Sequence, residues 1–70
     1  MKEIIFIVEK DPEGGFNASA LGYSIITQGE TMAELKNNVR DAIKCHFSEE
    51  KDIPQIIRLH FVSEEVFTYA

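Results

Sequence analysis

The sequence predicts an α+β domain with the order β-β-β-α-β, a small three- to four-stranded mixed sheet with one helix packed on one face. Three observations predict it. Residues 2–10 alternate apolar side chains on both sides, residues 32–47 repeat them at steps of three and four, and residues 56–62 alternate again. A period of two marks strands and a period near 3.6 marks a helix.

In the first strand Ile4, Phe6 and Val8 point one way and Ile5, Ile7 and Glu9 the other. A strand apolar on both faces is central in its sheet. Asp11-Pro12-Glu13-Gly14-Gly15 then forms a turn, because Pro12 presets φ and the glycines admit positive φ. A second strand spans about 16–21 and completes a hairpin; Gly22-Tyr23 breaks it, and 24–28 form a short third strand. No helix N-terminus follows Gly14-Gly15, so the pair does not read as a phosphate cradle.

The helix begins at a capping box. Thr31 and Glu34 have the spacing in which the hydroxyl accepts from a first-turn N–H and the carboxylate reaches back to the N–H of the cap residue itself. Met32, Leu35, Val39, Ala42, Ile43, His46 and Phe47 share one face, while Lys36, Asn37, Arg40, Asp41 and Lys44 fall mostly on the other. Residues 48–52 are a charged loop, and Pro54 precedes the last strand. There Ile57, Leu59 and Phe61 face one side and Ile56, Arg58, His60 and Val62 the other. A crossover through the helix brings this strand back beside the first, parallel to it. The helix then covers one side only. The other side carries Ile5, Ile7, Ile56 and Val62, a patch that predicts a homodimer or higher homo-oligomer, or a bound partner. Residues 63–70 retain Val66, Phe67 and Tyr69, too apolar for a disordered tail.

Seventy residues make a single domain over 1–70. A core of this size leaves only about 3–5 kcal/mol over chain entropy, so small domains commonly add a disulfide, a metal or a partner. One cysteine, Cys45, rules out an internal disulfide and fits a reducing cytoplasmic setting, which leaves a partner chain as the supplement. Twelve acidic against seven basic residues give a formal charge of −5, which disfavours direct nucleic acid binding and favours encounter with a basic protein, although solubility alone also accounts for it. The apolar run 4–8 is too short for a membrane span, and no signal peptide is expected.

Little here predicts catalysis. Neighbouring Cys45 and His46 diverge on a helix, His60 has no fixed distance to them, and the pair reads as a helix end with His46 partly buried. Glu9, Asp11 and Glu13 surround the first turn and have the chemistry to hold a divalent cation, but carboxylates in a surface turn are ordinarily solvated. We therefore expect no enzyme activity, no cofactor and no metal.

The ordered segments carry a resemblance: Glu13-Gly14-Gly15-Phe16, Ala20-Leu21-Gly22-Tyr23-Ser24-Ile25, Thr27-Gln28-Gly29-Glu30-Thr31, Glu34-Leu35, Asn38-Val39-Arg40-Asp41-Ala42, Cys45-His46-Phe47 and Ile57-Arg58-Leu59-His60-Phe61-Val62. With these in this order the chain resembles the HicB-like antitoxins, in a short single-domain branch. The resemblance implies a truncated ribonuclease-H-like fold without nuclease activity. It also implies membership of a type II toxin–antitoxin system, in which the chain neutralises a small basic HicA-like toxin that cleaves mRNA. Two departures stand out. Ala20-Leu21-Gly22-Tyr23 occupies the place of a Pro-x-Leu-Pro-Gly-Cys loop, and the sequence given carries no C-terminal DNA-binding domain, so autoregulation by this chain alone is not expected. Charge and aromatic anchoring assign the partner-binding surface to Glu9, Asp11, Glu13, Phe16 and Tyr23. The alternative reading is an orphan homo-oligomeric interaction protein that associates through its open sheet face.

Overall fold

In the computed structural model, which describes residues 2–63 and 66–69, the first strand is the frame on which the others assemble. β1 (Glu3–Lys10) lies between β2 (Phe16–Ala20), antiparallel to it, and β4 (Ile56–Phe61), parallel to it; β3 (Ile26–Gly29) adds antiparallel to β2. The four-stranded order is β3-β2-β1-β4. The fold is α+β with a mixed sheet and one helix, and the last strand returns beside the first as the crossover rule requires.

Alternation in β1 does what the sequence pattern demands. Ile4, Phe6 and Val8 are buried on the helix side, joined by Ala18 of β2, by Ile25 and by Leu35, Val39 and Ile43 of α1 (Met32–His46). Ile57 and Leu59 of β4 pack at the margin of this core. On the opposite side Ile5, Ile7 and Ile56 are half-buried and Val62 is exposed. The register adds a residue that strand alternation alone leaves unassigned. Ile7 pairs with Ser19 and Ser19 with Ile26, so Ile26 belongs to the open face, and it is 82% exposed. The ion pair between Arg58 Nε and Glu3 Oε1, at 2.7 Å, also lies on that face, and exposed pairs of this kind contribute little to stability.

The helix cap differs from expectation in one detail. Thr31 Oγ1 accepts from the Glu34 N–H at 3.1 Å as predicted, but Glu34 Oε1 accepts from the N–H of Glu30 at 3.0 Å, one residue before the cap. The carboxylate thereby secures the turn between β3 and α1. Asn38 Nδ2, which donates to the carbonyl of Gln28 at 2.7 Å, fastens the same junction one turn further along. The third strand starts and ends later than expected because Ile25 turns inward, its carbonyl accepting from the Ala20 N–H, before the ladder begins. Beyond α1 a single 3-10 turn, Glu50–Asp52, leads to buried Pro54, and Lys2 bridges to Asp52 at 3.4 Å.

Residues 66–69 have no regular structure, and Val66, Phe67 and Tyr69 are strongly exposed, contrary to their apolar character. Nothing in a single chain covers them. Residues 64, 65 and 70, part of the same apolar segment in the sequence reading, lie outside the described residues. Among the described residues no helix is long and apolar enough to cross a membrane.

Candidate protein-docking surface

The end of the sheet at the β1–β2 turn concentrates charge of one sign. Asp11 organises the turn through its own side chain. Its Oδ1 accepts from the Glu13 N–H at 2.8 Å, its Oδ2 accepts from Asn17 Nδ2 at 2.9 Å, and its carbonyl accepts from the Gly14 N–H at 3.0 Å. This is the Asx-type geometry that favours Asp at the start of a turn. Gly15 has φ +81°, and a Cβ there would sit 2.7 Å from the carbonyl oxygen of Gly29, so only glycine fits.

That close approach brings a second turn against the first. Phe16 pairs with Gly29 in the β2–β3 ladder, so Glu30 and Glu34, at the entry to α1, stand beside the hairpin. A shallow depression of about 130 Å³ separates the two turns, lined by Asp11, Phe16, Asn17, Gln28, Glu30 and Glu34. Five carboxylates therefore gather at one end, those of Glu9, Asp11 and Glu13 from the hairpin and those of Glu30 and Glu34 from the helix entry. Lys10 is the one basic residue of the hairpin. The last two acids escape a reading of charge along the chain; the signal for them was the β2–β3 register, which places Gly29 across from Phe16.

The predicted surface is only partly assembled. Glu9 and Glu13 are exposed at this end, Asp11 is spent on the turn, and Phe16 is half-buried with its side chain against the core. Tyr23 lies past the opposite end of β2. There it meets His46 and Phe47 edge to face, with ring centroids 5.8 and 5.4 Å away, and His46 and Phe47 are themselves 5.0 Å apart. This aromatic trio ties the β2–β3 connection to the end of α1. His46 is exposed in it, where the sequence pattern had it partly buried, because its ring leans on Tyr23 and Phe47 instead of entering the core. Cys45 is a free, exposed thiol, and among the described residues no three metal-ligating side chains come together.

The two hydrogen bonds to Asp11 favour its charged form. They hold its carboxyl below the ordinary value of 3.8, the Glu13 N–H contributing most and the Asn17 amide next, against a small opposing effect of burial. A lowered folded value means that the stabilisation is fully present above the ordinary carboxylate range and is lost as the pH falls through the lowered value. Asn17→Ala should move the Asp11 midpoint back up, as read by carboxyl NMR titration. An unmoved midpoint would show that the amide does not support the carboxylate in solution.

Comparison with known proteins gives two relatives. The chain is 41% identical over 63 residues to a UPF0150 protein of Thermotoga maritima, which covers 90% of this chain and 87% of the relative. It is 50% identical over 46 residues to a UPF0150 protein of Archaeoglobus fulgidus, covering 66% of this chain and 68% of that protein. No family model matches the chain, and no solved structure matches it.

Proposed function

The chain belongs to the UPF0150 family. From its acidic surface and its resemblance to HicB-like antitoxins we propose that it is a non-catalytic, antitoxin-type binding module that neutralises a small, basic, mRNA-cleaving HicA-like toxin by covering it. The observation that carries this reading is the acidic end, where Asp11, Glu30 and Glu34 line one depression and Glu9 and Glu13 are exposed on the adjoining hairpin, on a chain of net charge −5. Such a surface is complementary to a protein that must itself hold RNA phosphates. The ordered resemblance to HicB-like antitoxins supports the same reading. In this reading the chain acts in the cytoplasm, and occlusion does the work, so no catalytic group or cofactor is required of it.

The test is co-expression with a small basic HicA-like toxin, followed by an RNA-cleavage assay. One equivalent of this protein should suppress cleavage, and removal of the acidic partner should restore it. Charge reversal at both Glu9 and Glu13, each to Lys, should weaken the complex about tenfold and flatten its salt dependence, the affinity loss corresponding to about 1.4 kcal/mol. Unchanged affinity would move the interface away from this end.

One observation favours the second reading, an orphan homo-oligomer. Ile26 and Leu21 stand exposed beside Ile5, Ile7, Ile56 and Val62 on the open sheet face. Self-association that Ile26→Lys abolishes, together with failure of any small basic toxin to bind, would favour it over the first.

A further inference from the structure

The two edges of the sheet are not alike. Hydrogen bonds at the ends of the ladders fix which backbone groups point where. The Val62 N–H donates to the Val8 carbonyl at 3.0 Å and the Ile56 N–H to the Lys2 carbonyl at 3.3 Å. Ile56, Arg58, His60 and Val62 therefore turn their backbone groups toward β1. By the alternation of a parallel pair, the N–H and C=O of Ile57, Leu59 and Phe61 point out of the sheet. On the far edge the Ala20 N–H donates to the Ile25 carbonyl at 3.0 Å, and the same alternation turns Ile26 and Gln28 of β3 outward.

The β3 edge is short and partly closed. It has four residues, and its Gln28 carbonyl already accepts from Asn38 Nδ2 of α1 at 2.7 Å. The β4 edge has six residues and stands open. α1 packs against β3 and β2 and stays away from β4. β4 contains neither Pro nor Lys, and its register with β1 runs unbroken from Ile56 to Phe61. Its one formal charge, Arg58, is tied to Glu3. Proline, lysine, bulges and covering elements ordinarily keep an edge strand from pairing, and none of them guards β4 among the described residues.

We propose that β4 of one copy pairs antiparallel with β4 of a second copy, about a two-fold axis through Leu59, joining two four-stranded sheets into one. The side chains choose both the occupant and the register. Only outward-facing residues exchange hydrogen bonds, so the two-fold registers with most overlap are centred on residue 58, 59 or 60. Centred on Arg58, two arginines stand face to face, and like charges directly opposite are destabilising. Centred on His60, only residues 59–61 of the two strands overlap. Centred on Leu59, residues 57–61 overlap and every pairing is compatible. Ile57 lies opposite Phe61 of the second copy and Leu59 opposite its own counterpart, and these pairs exchange backbone hydrogen bonds. Between them Arg58 lies opposite the imidazole of His60, and beyond them Ile56 lies opposite Val62. Phe61, 55% exposed in the single chain, gains an apolar neighbour. The strand is thus its own complement, and the contact is isologous as a two-fold dimer requires. An edge pair of this length is at the small end of interface sizes, so association depends on concentration. The inference goes beyond the toxin-binding reading, does not rest on it, and uses a different surface from the open sheet face.

The experiment is amide hydrogen exchange by NMR on the full chain over a concentration series, with sedimentation velocity alongside. The wild type should be a dimer that dissociates on dilution. Where about nine-tenths of the chains are paired, the amides of Ile57, Leu59 and Phe61 should exchange about tenfold more slowly than in dilute solution. Those of Ile26 and Gln28, at the other edge, should not change. Phe61→Pro removes one outward N–H, which an edge strand tolerates, and should give a monomer with an unchanged circular dichroism spectrum. His60 is exposed in the single chain. His60→Lys sets a second cation against Arg58 twice across the axis and should weaken the dimer about tenfold, and His60→Glu should strengthen it by a similar factor. Ile26→Lys, on the open sheet face, should leave the dimer intact. A wild type that is monomeric throughout, a dimer whose Leu59 and Phe61 amides stay unprotected, a dimer that survives Phe61→Pro, one strengthened by His60→Lys, or one broken by Ile26→Lys would each overturn the proposal. Protection that arises only when a basic toxin is added would also overturn it, and would assign this edge to that partner.

Discussion

Gly29→Ala should cost about 3 kcal/mol, toward the upper end of what overpacking a tight interior costs, and bring the domain close to unfolding. The reason is backbone against backbone. A Cβ at Gly29 would lie 2.5 Å from the amide nitrogen and 2.7 Å from the Cα of Leu35, inside the first turn of α1. Neither atom can yield as a flexible side chain does. Leu35 is fully buried in the core, and the helix start is fastened on either side by the Glu34–Glu30 and Asn38–Gln28 hydrogen bonds. Gly29 is not among the positive-φ glycines, so the cost is steric and not conformational. Gly22→Ala separates the two mechanisms. Gly22 has φ +82° and open space around its missing Cβ, so its replacement should cost only about 1 kcal/mol of backbone strain. Urea unfolding gives both values, with the slope m unchanged if the native fold persists. A Gly29→Ala protein within half of the Gly22→Ala loss would mean that the helix start is not held against β3 in solution.

That contact also marks the boundary of what the chain discloses in sequence. The helix was legible because its cap and its apolar stripe are local patterns, and Leu35, Val39 and Ile43 are the residues it buries. The place of β1 was legible because two apolar faces require neighbours on both edges, and the parallel return of β4 followed from chain connectivity. The open-face patch of Ile5, Ile7, Ile56 and Val62 lies on the uncovered side, but Ile26, its most exposed member, needed the β2–β3 register to be assigned. Register also decided the acidic end. Glu30 and Glu34 lie far along the chain from Asp11 and share a depression with it because Gly15 lets the two turns touch. Tyr23 illustrates the converse. Charge and aromaticity grouped it with Glu13, yet a strand separates them, and its ring belongs to His46 and Phe47. The groove between α1 and β4, lined by Met32, Val39, Ile57, Leu59 and Phe61, was invisible for a different reason. Hydrophobic periodicity tells which face of a helix is apolar but not where along the sheet the helix settles, and here it settles toward β3.

Phe6→Ala should abolish cooperative unfolding altogether. Phe6 is fully buried at the centre of β1, with Ala20 beside it on β2 and Leu59 on β4, and it is the largest side chain of the core. Truncating a buried phenylalanine costs about 3–5 kcal/mol, the lost transfer energy plus the cavity left behind. A core of this size supplies about the same margin, so one substitution consumes it. The neighbours cannot close the gap. Ala20 is too small to reach in, and Leu59 stands at the core's margin facing the groove, so water has a short path to the vacated space. Phe6→Leu, which keeps most of the volume, should retain a sigmoidal urea transition at a lowered midpoint, because volume-conserving apolar changes usually cost less than about 1.5 kcal/mol. Far-ultraviolet circular dichroism against urea reads both. A cooperative Phe6→Ala transition near the wild-type midpoint would mean that the stability of this domain resides elsewhere than in the β1–α1 core.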